Sequence, residues 1–262
     1  MTGLPMAPGK MPRAWQSEAF EAVRNGLRRW DSVLVDAATG AGKGDVIAGL
    51  CAAMAPYGRV LVIVGAEQLV DDLAARTRLL GADVGVYKGK LKELGHAITI
   101  ATVQAAIKAA PGVLEPVRCL IIDEAHHSPA PGYKKLRERL GARFTVGMTA
   151  TPFRMDGGFE TGLGSAFKAT VYEYPIARAV EEGVLAPFEV RRLFTGVTLQ
   201  EADLQGDAEV ERAVNTQARN ELVVDRWVAD GGGAGCWAFA AGVAHAEALA
   251  EVMRSRGLKA KA

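Results

Sequence analysis

"SVLVDAATGAGKGDVIAGL", residues 32–50, joins a short apolar run to a helix-forming run through a glycine-rich turn. Residues 32–37 are apolar and β-branched, as a buried strand requires, and "GDVIAGLCAAMA" (44–55) has the length and composition of a helix. Such a turn points backbone N–H groups at one spot in front of a helix N-terminus, which carries partial positive charge. Gly40 and Gly42 let the backbone approach a phosphate closely, and Lys43 is placed to neutralise β/γ oxygens. The candidate binding set is therefore Thr39, Gly40, Ala41, Gly42, Lys43 and Gly44. Two positions depart from the usual phosphate loop. Gly44 stands where a Ser or Thr hydroxyl normally holds Mg²⁺, and Ala37 stands where Gly is usual. From this loop alone, a glycine-rich turn with an incidental lysine remains an alternative.

Outward from this stretch the same texture repeats. "RVLVIVG" (59–65), "DVGVYKG" (83–89), "AITIAT" (97–102), "RCLIIDEA" (118–125) and "RFTVGMTAT" (143–151) read as strands. "EQLVDDLAARTRLLG" (67–81) and "GYKKLRERLG" (132–141) read as helices. Strands with near-continuous apolar runs, alternating with helices, predict an α/β fold with a parallel sheet covered on both faces. Ligands in such sheets sit at the carboxyl ends of the strands. The polar motifs "ATGAGKG", "DEAHH" and "TATPFR" each begin where an apolar strand ends, which makes them site loops.

"LIIDEAHH" decides the question left by the first loop. It sets Asp123 and Glu124 at the end of an apolar strand, where ionised carboxylates need a cation or water as partner. Asp123 can hold Mg²⁺, and Glu124 can orient and deprotonate an attacking water. A charged strand-to-helix cap is the structural alternative; together with a phosphate loop some 80 residues upstream, the pair points to ATP hydrolysis, with Lys43, Asp123 and Glu124 as the candidate catalytic set.

With these motifs in place the chain resembles the first half of a superfamily 2 helicase or translocase of the DEAH-type branch, which includes restriction-enzyme motor subunits and phage and bacterial repair helicases. "PRAWQSEAFEAV" (12–23) resembles that family's adenine motif, with Arg13 and Gln16 at the matching positions. "ATGAGKG" corresponds to motif I, "DEAH" to motif II, and "TATPFRMDG" (149–157) to motif III with its trailing Arg and Asp-Gly. "ITIATVQA" (98–105) matches the nucleic-acid motif, with Thr102 and Gln104; "VLVIVGAEQLVDDLA" (60–74) matches motif Ia loosely. "EYPIARAVEEGVLAPFEV" (173–190) resembles the segment closing the first domain, and "WAFAAGVAHAEALA" (237–250) resembles motif IV. The resemblance implies a RecA-like P-loop domain using ATP and Mg²⁺ and acting on nucleic acid, more readily DNA. It implies that Gln16 reads adenine, that Thr102 and Gln104 bond phosphates without reading sequence, and that His126, Thr149 and Thr151 couple the ATP site to the nucleic-acid groove. Lacking the hydroxyl at Gly44, the metal is expected to rely on Asp123 and water.

The expected organisation is a RecA-like domain over 1–195, a connector and helix over 196–230, and the incomplete start of a second α/β domain over 231–262, with a strand at "CWAFAA" (236–241). In the family a second motor domain supplies an arginine reaching the γ-phosphate, so a second chain completing the motor is a further expectation. The net charge of +1, from 31 Lys and Arg against 30 Asp and Glu, argues against a polybasic coating protein but leaves room for a local basic groove. Lys88, Lys90, Lys92, Lys134, Lys135, Arg137 and Arg139 are candidates for it, or a solvated face. Cys51, Cys119 and Cys236 show no metal spacing, and adjacent His126 and His127 are no zinc pattern. His96 and His245 read as structural. No apolar run reaches a membrane span, so a cytoplasmic protein with no membrane partner is expected. Two rivals stand beside the motor: an ATP-gated nucleic-acid-binding module with little turnover, and a P-loop kinase or metabolic ATPase, which has no use for "TATPFR".

Overall fold

The computed structural model describes residues 3–151, 163–194, 206–231 and 235–262. Two compact units divide the chain, Met1–Pro187 and Phe188–Ala262.

In the first unit, eight strands form one sheet: β1 (Ser32–Ala37), β2 (Val60–Val64), β3 (Val84–Lys88), β4 (Leu91–Lys92), β5 (Ile98–Thr102), β6 (Cys119–Ile122), β7 (Phe144–Thr149) and β8 (Ala169–Tyr174). Their spatial order is β4-β3-β5-β2-β6-β7-β1-β8. All neighbours run parallel except β3 and β4, whose antiparallel pairing sets Tyr87 opposite Lys92. β4 is short, exposed and partly charged, a form that discourages further pairing at an edge.

The helices cover both faces because the strands are apolar on both. α1 (Ala14–Gly26), α2 (Lys43–Met54) and α3 (Glu67–Arg78) cover one face, and α4 (Val103–Lys108) and α5 (Pro131–Leu140) the other. The two-residue period of a strand sorts the side chains. Val60, Val62 and Val64 of β2 enter the first core, while Leu61 and Ile63 enter the second. β7 shows how tightly the second core closes: a Cβ on Gly147 would lie 2.5 Å from Phe167 Cζ and 2.8 Å from Leu34 Cδ1. The N-terminal segment packs on α2 equally closely, where Gly49 leaves room for Leu4 and the Pro5 carbonyl. A short helix, α6 (Ile176–Glu181), follows β8.

Several basic side chains proposed for a groove are structural. Arg139 donates to the carbonyls of Ala106, Ile107 and Ala109 at the end of α4 and pairs with Glu115. Arg137 donates to the Ala166 carbonyl and lies over the Phe167 ring. Lys88 is engaged by Asp71, and Lys92 stands over the Tyr87 ring. His96 bonds Asp83, whose other oxygen accepts from the Ala97 N–H.

The second unit contains α7 (Asp207–Val214), α8 (Gln217–Gly231) and α9 (Val243–Ser255). His245 is buried, accepting from the Ala241 N–H at Nδ1 and meeting Asn220 Oδ1 through Nε2. The strand expected at 236–241 is not formed. A strand needs a neighbour for its backbone groups, and among the described residues of this unit there is no strand to pair with it. Trp237 and Phe239 are consequently 93% and 98% exposed. No described helix is long and apolar enough to cross a membrane.

Candidate nucleotide-binding and hydrolysis site

The carboxyl ends of β1, β6 and β7 lie side by side, since β7 pairs with both others. The loop after β1 carries Ala38–Gly42, and α2 begins at Lys43. Gly40 (φ 81°) and Gly42 (φ 104°) take left-handed backbone that side chains rarely adopt. Thr39 and Gly40 are exposed, whereas Ala41 is buried. Lys43 Nζ lies 3.0 Å from the Ala37 carbonyl oxygen, folded over the concavity of its own loop.

Arg13 and Gln16, at the start of α1, grip this loop from outside. Arg13 Nη1 donates to the Ala41 carbonyl at 2.7 Å, and Gln16 Nε2 to the Gly42 carbonyl at 3.1 Å. Gln16 Oε1 accepts the Arg13 N–H at 2.9 Å, and the side chain is only 2% exposed. Both polar atoms of the Gln16 amide have one protein partner each, so the side chain braces the loop after β1 and keeps a second N–H and a second lone pair. Beside it Trp15 stacks on Tyr174, ring centroids 4.8 Å apart.

The turn after β6 holds the carboxylates. Asp123 Oδ1 accepts the Glu124 N–H at 3.0 Å. Burial raises the Asp123 pKa, the neighbouring Glu124 charge raises it further, and the Glu124 N–H and the Lys43 ammonium oppose the rise. Glu124 itself has φ 51° and ψ 50°, the one non-glycine residue with positive φ among the described residues. Such a conformation costs a non-glycine residue on the order of 1–3 kcal/mol and is characteristic of functional turns. His126 Nδ1 lies 3.4 Å from Glu124 Oε2, 3.1 Å from Thr149 Oγ1 and 3.2 Å from Thr151 Oγ1. One imidazole nitrogen thereby joins the end of β6 to the end of β7, bringing His126, Thr149 and Thr151 together. The trailing Arg and Asp-Gly of "TATPFRMDG" lie outside the described residues.

Thr102 and Gln104 stand apart from this group, because β2 separates β5 from β6. Thr102 is buried and caps α4, its hydroxyl accepting the Ala105 N–H at 3.3 Å; Gln104 is exposed on the first turn.

The departure at Gly44 has a definite setting. A Cβ there would meet Arg76 Cδ at 3.7 Å and Nε at 3.8 Å, ordinary contact distances. The Arg76 guanidinium runs on to Asp45, 3.0 Å away, so Asp45 faces α3 rather than the phosphate concavity. Below Gly44 lies a cavity of about 200 Å³ whose lining includes Asp123 and, from α3, Asp72. Sequence reading passed over Asp72 and Arg76, which look like the solvated face of a helix; the only signal was that α3 follows a strand ending at the site.

Residues 9–154 match the family described as Type III restriction enzyme, res subunit. The chain belongs to this family. It is 32% identical over 239 residues to the DNA 3'-5' helicase XPB of Kineococcus radiotolerans, covering 84% of this chain and 41% of that protein. Over 245 residues it is 27% identical to the Type I restriction enzyme EcoAI endonuclease subunit of Escherichia coli, covering 82% and 29%. It therefore spans less than half the length of either relative. Among solved structures, the UvsW helicase from Bacteriophage T4 superposes with a TM-score of 0.53 at 18% identity, over 65% of this chain and 63% of that one. The family match and these neighbours make the first unit the first RecA-like domain of a superfamily 2 helicase.

Proposed function

We propose that the chain is the nucleotide-binding part of an ATP-driven DNA helicase or translocase. The observation that carries this reading is the His126 nitrogen between Glu124 and the two threonines. An ATPase needs the carboxylate; a motor must also pass its state to another part of the domain, and this nitrogen links it to a second strand end. Helicase and restriction-enzyme relatives support DNA as the polymer. The exposed Gln104 on the first turn of α4 offers a side chain to a phosphate backbone.

The donor set fits metal–ATP. Asp123 and Glu124 are adjacent carboxylates, partly buried and mutually repelling, an arrangement that a cation relieves. Asp123 would hold Mg²⁺, which supplies charge neutralisation at the phosphates. The loop N–H groups and Lys43 bind phosphate oxygens. Lys43 would exchange its bond to the Ala37 carbonyl for them. Glu124 accepts the proton of the water that attacks the γ-phosphorus as the bond to the ADP oxygen breaks. His126 holds the Glu124 carboxylate and reports its state to Thr149 and Thr151.

One observation favours an ATP-gated binding module with little turnover: the absent hydroxyl at Gly44. A single experiment separates the readings. ATP hydrolysis is measured without DNA, with single strands and with duplex, alongside fluorescent-nucleotide binding. The motor reading expects DNA-stimulated hydrolysis, lost in Glu124→Gln with nucleotide binding kept, and binding lost in Lys43→Ala. Binding without hydrolysis supports the module. Unchanged affinity in Lys43→Ala overturns both.

A further inference from the structure

Gly44 removes the side-chain ligand that a phosphate loop normally offers to its metal, and an open cavity adjoins it. Arg76 passes across Gly44 at van der Waals distance, but its charged end is bound to Asp45, which Lys10 also approaches at 3.6 Å. What remains is the cavity of about 200 Å³ lined by Gly42, Gly44, Arg76 and two carboxylates, Asp123 on the β6 turn and Asp72 on α3. A water occupies about 30 Å³ of liquid and needs two to four polar partners, so the cavity has room for several and the groups to orient them. Mg²⁺ gives up its waters reluctantly and is commonly held by one or two carboxylates plus substrate phosphates. A hydrated cation beside Asp123 therefore needs an outer group on the Gly44 side.

We propose that Asp72 is that group: it holds the water standing in for the missing hydroxyl, so that this loop binds metal–nucleotide through Asp123 and, across the cavity, Asp72. The inference rests on the reading of the loop as an ATP site. Asp72 touches the metal's water and not the metal, which makes it a positioning residue. Gly44 and Asp72 then form one device, the small residue making room for the water and the carboxylate orienting it. Restoring a hydroxyl at position 44 should make Asp72 redundant.

The test is a Mg²⁺ titration of fluorescent-ATP binding to the full chain, for the parent, Asp72→Asn, Gly44→Ser and the double variant. Loss of an outer-shell partner typically weakens metal affinity by about 10–100-fold. Asp72→Asn should raise the Mg²⁺ midpoint by about 10-fold, the lower end of that range, because Asp72 is exposed. Asp72→Glu should recover most of it. Gly44→Ser should lower the midpoint, and in its background the Asp72→Asn effect should shrink to less than about 3-fold, since an added ligand makes the outer-shell partner redundant. Asp72 lies on the surface of α3, so Asp72→Asn and Asp72→Glu are expected to keep the parent's thermal unfolding midpoint. Equal midpoints for the parent and Asp72→Asn overturn the proposal while leaving the ATP site standing. An equal Asp72→Asn effect in both backgrounds also overturns it, as does a Glu variant no better than Asn. No nucleotide binding by the parent at saturating Mg²⁺ overturns the ATP site itself, and the proposal with it.

Discussion

Gly42→Ala should unsettle both the phosphate loop and the helix bracing it. At φ 104° and ψ 36°, Gly42 is well inside the region closed to side chains, and a non-glycine residue there costs on the order of 2 kcal/mol. The added Cβ would also lie 3.0 Å from both Arg13 Nη1 and Gln16 Nε2. Both groups must retreat by a few tenths of an ångström, stretching bonds of 2.7 Å to Ala41 and 3.1 Å to Gly42. Weakening these two bonds adds about 1 kcal/mol, given that each is worth roughly 0.5–3 kcal/mol intact. The expected loss is about 3 kcal/mol, a large share of the 5–15 kcal/mol typical of a domain. Gly81→Ala is the matched control: Gly81 has φ 75°, with nothing within 4 Å of the added Cβ, so it reads backbone strain without crowding. Urea unfolding followed by circular dichroism measures both variants, and fluorescent-ATP binding should weaken at least about 10-fold in Gly42→Ala alone, the factor that about 1.4 kcal/mol of lost contact produces. The coupling is read by Arg13→Ala, which should cost about 1 kcal/mol less in the Gly42→Ala background than in the parent. Equal losses for Gly42→Ala and Gly81→Ala, with additive Arg13→Ala effects, would refute the brace.

Two further outcomes are expected. Burial, and then the Glu124 charge, raise the Asp123 pKa above the ordinary aspartate value of about 3.9, so the stability it contributes is full below that value and lost as pH rises through the raised one. Asp123→Asn should therefore raise the urea midpoint of the nucleotide-free protein at pH 7, with the gain vanishing below about pH 4; a gain that persists there would contradict the assignment. Gly147→Ala should destabilise by about 1–3 kcal/mol, or more, because its Cβ collides with Phe167 and Leu34 in a closed core, and a thermal midpoint within 1 °C of the parent would refute that packing.

The central sheet was legible because its strands are unbroken apolar runs. β2 is buried at all five positions, as are β5 and, over four, β6. β8 was missed for the opposite reason. Its residues 169–172 are half-buried at the sheet's edge, and the sequence ATVYEY has neither alternation nor a continuous apolar run. The apolar run at 236–241 was read as a strand on composition, yet a strand exists only through its neighbours. At the site, the chemistry-bearing residues were legible because motif and strand end coincide. Their contacts were not: Arg13 and Gln16 stand in a family motif, yet they meet a loop 26–28 residues away, and no local pattern announces that contact. Arg137 and Arg139 carry the same letters as a nucleic-acid groove and serve instead to close backbone carbonyls.

The left-handed backbone at Glu124 sets a trap for anyone engineering this protein for robustness. At that position Gly, or Asn, relaxes a strain on the order of 1–3 kcal/mol. A screen selecting on heat resistance alone will enrich those two residues, and each discards the carboxylate beside His126. With Glu124 in its proposed catalytic role, durability and turnover compete at this one residue, so a library meant to harden the fold has to hold position 124 fixed and seek its gains elsewhere.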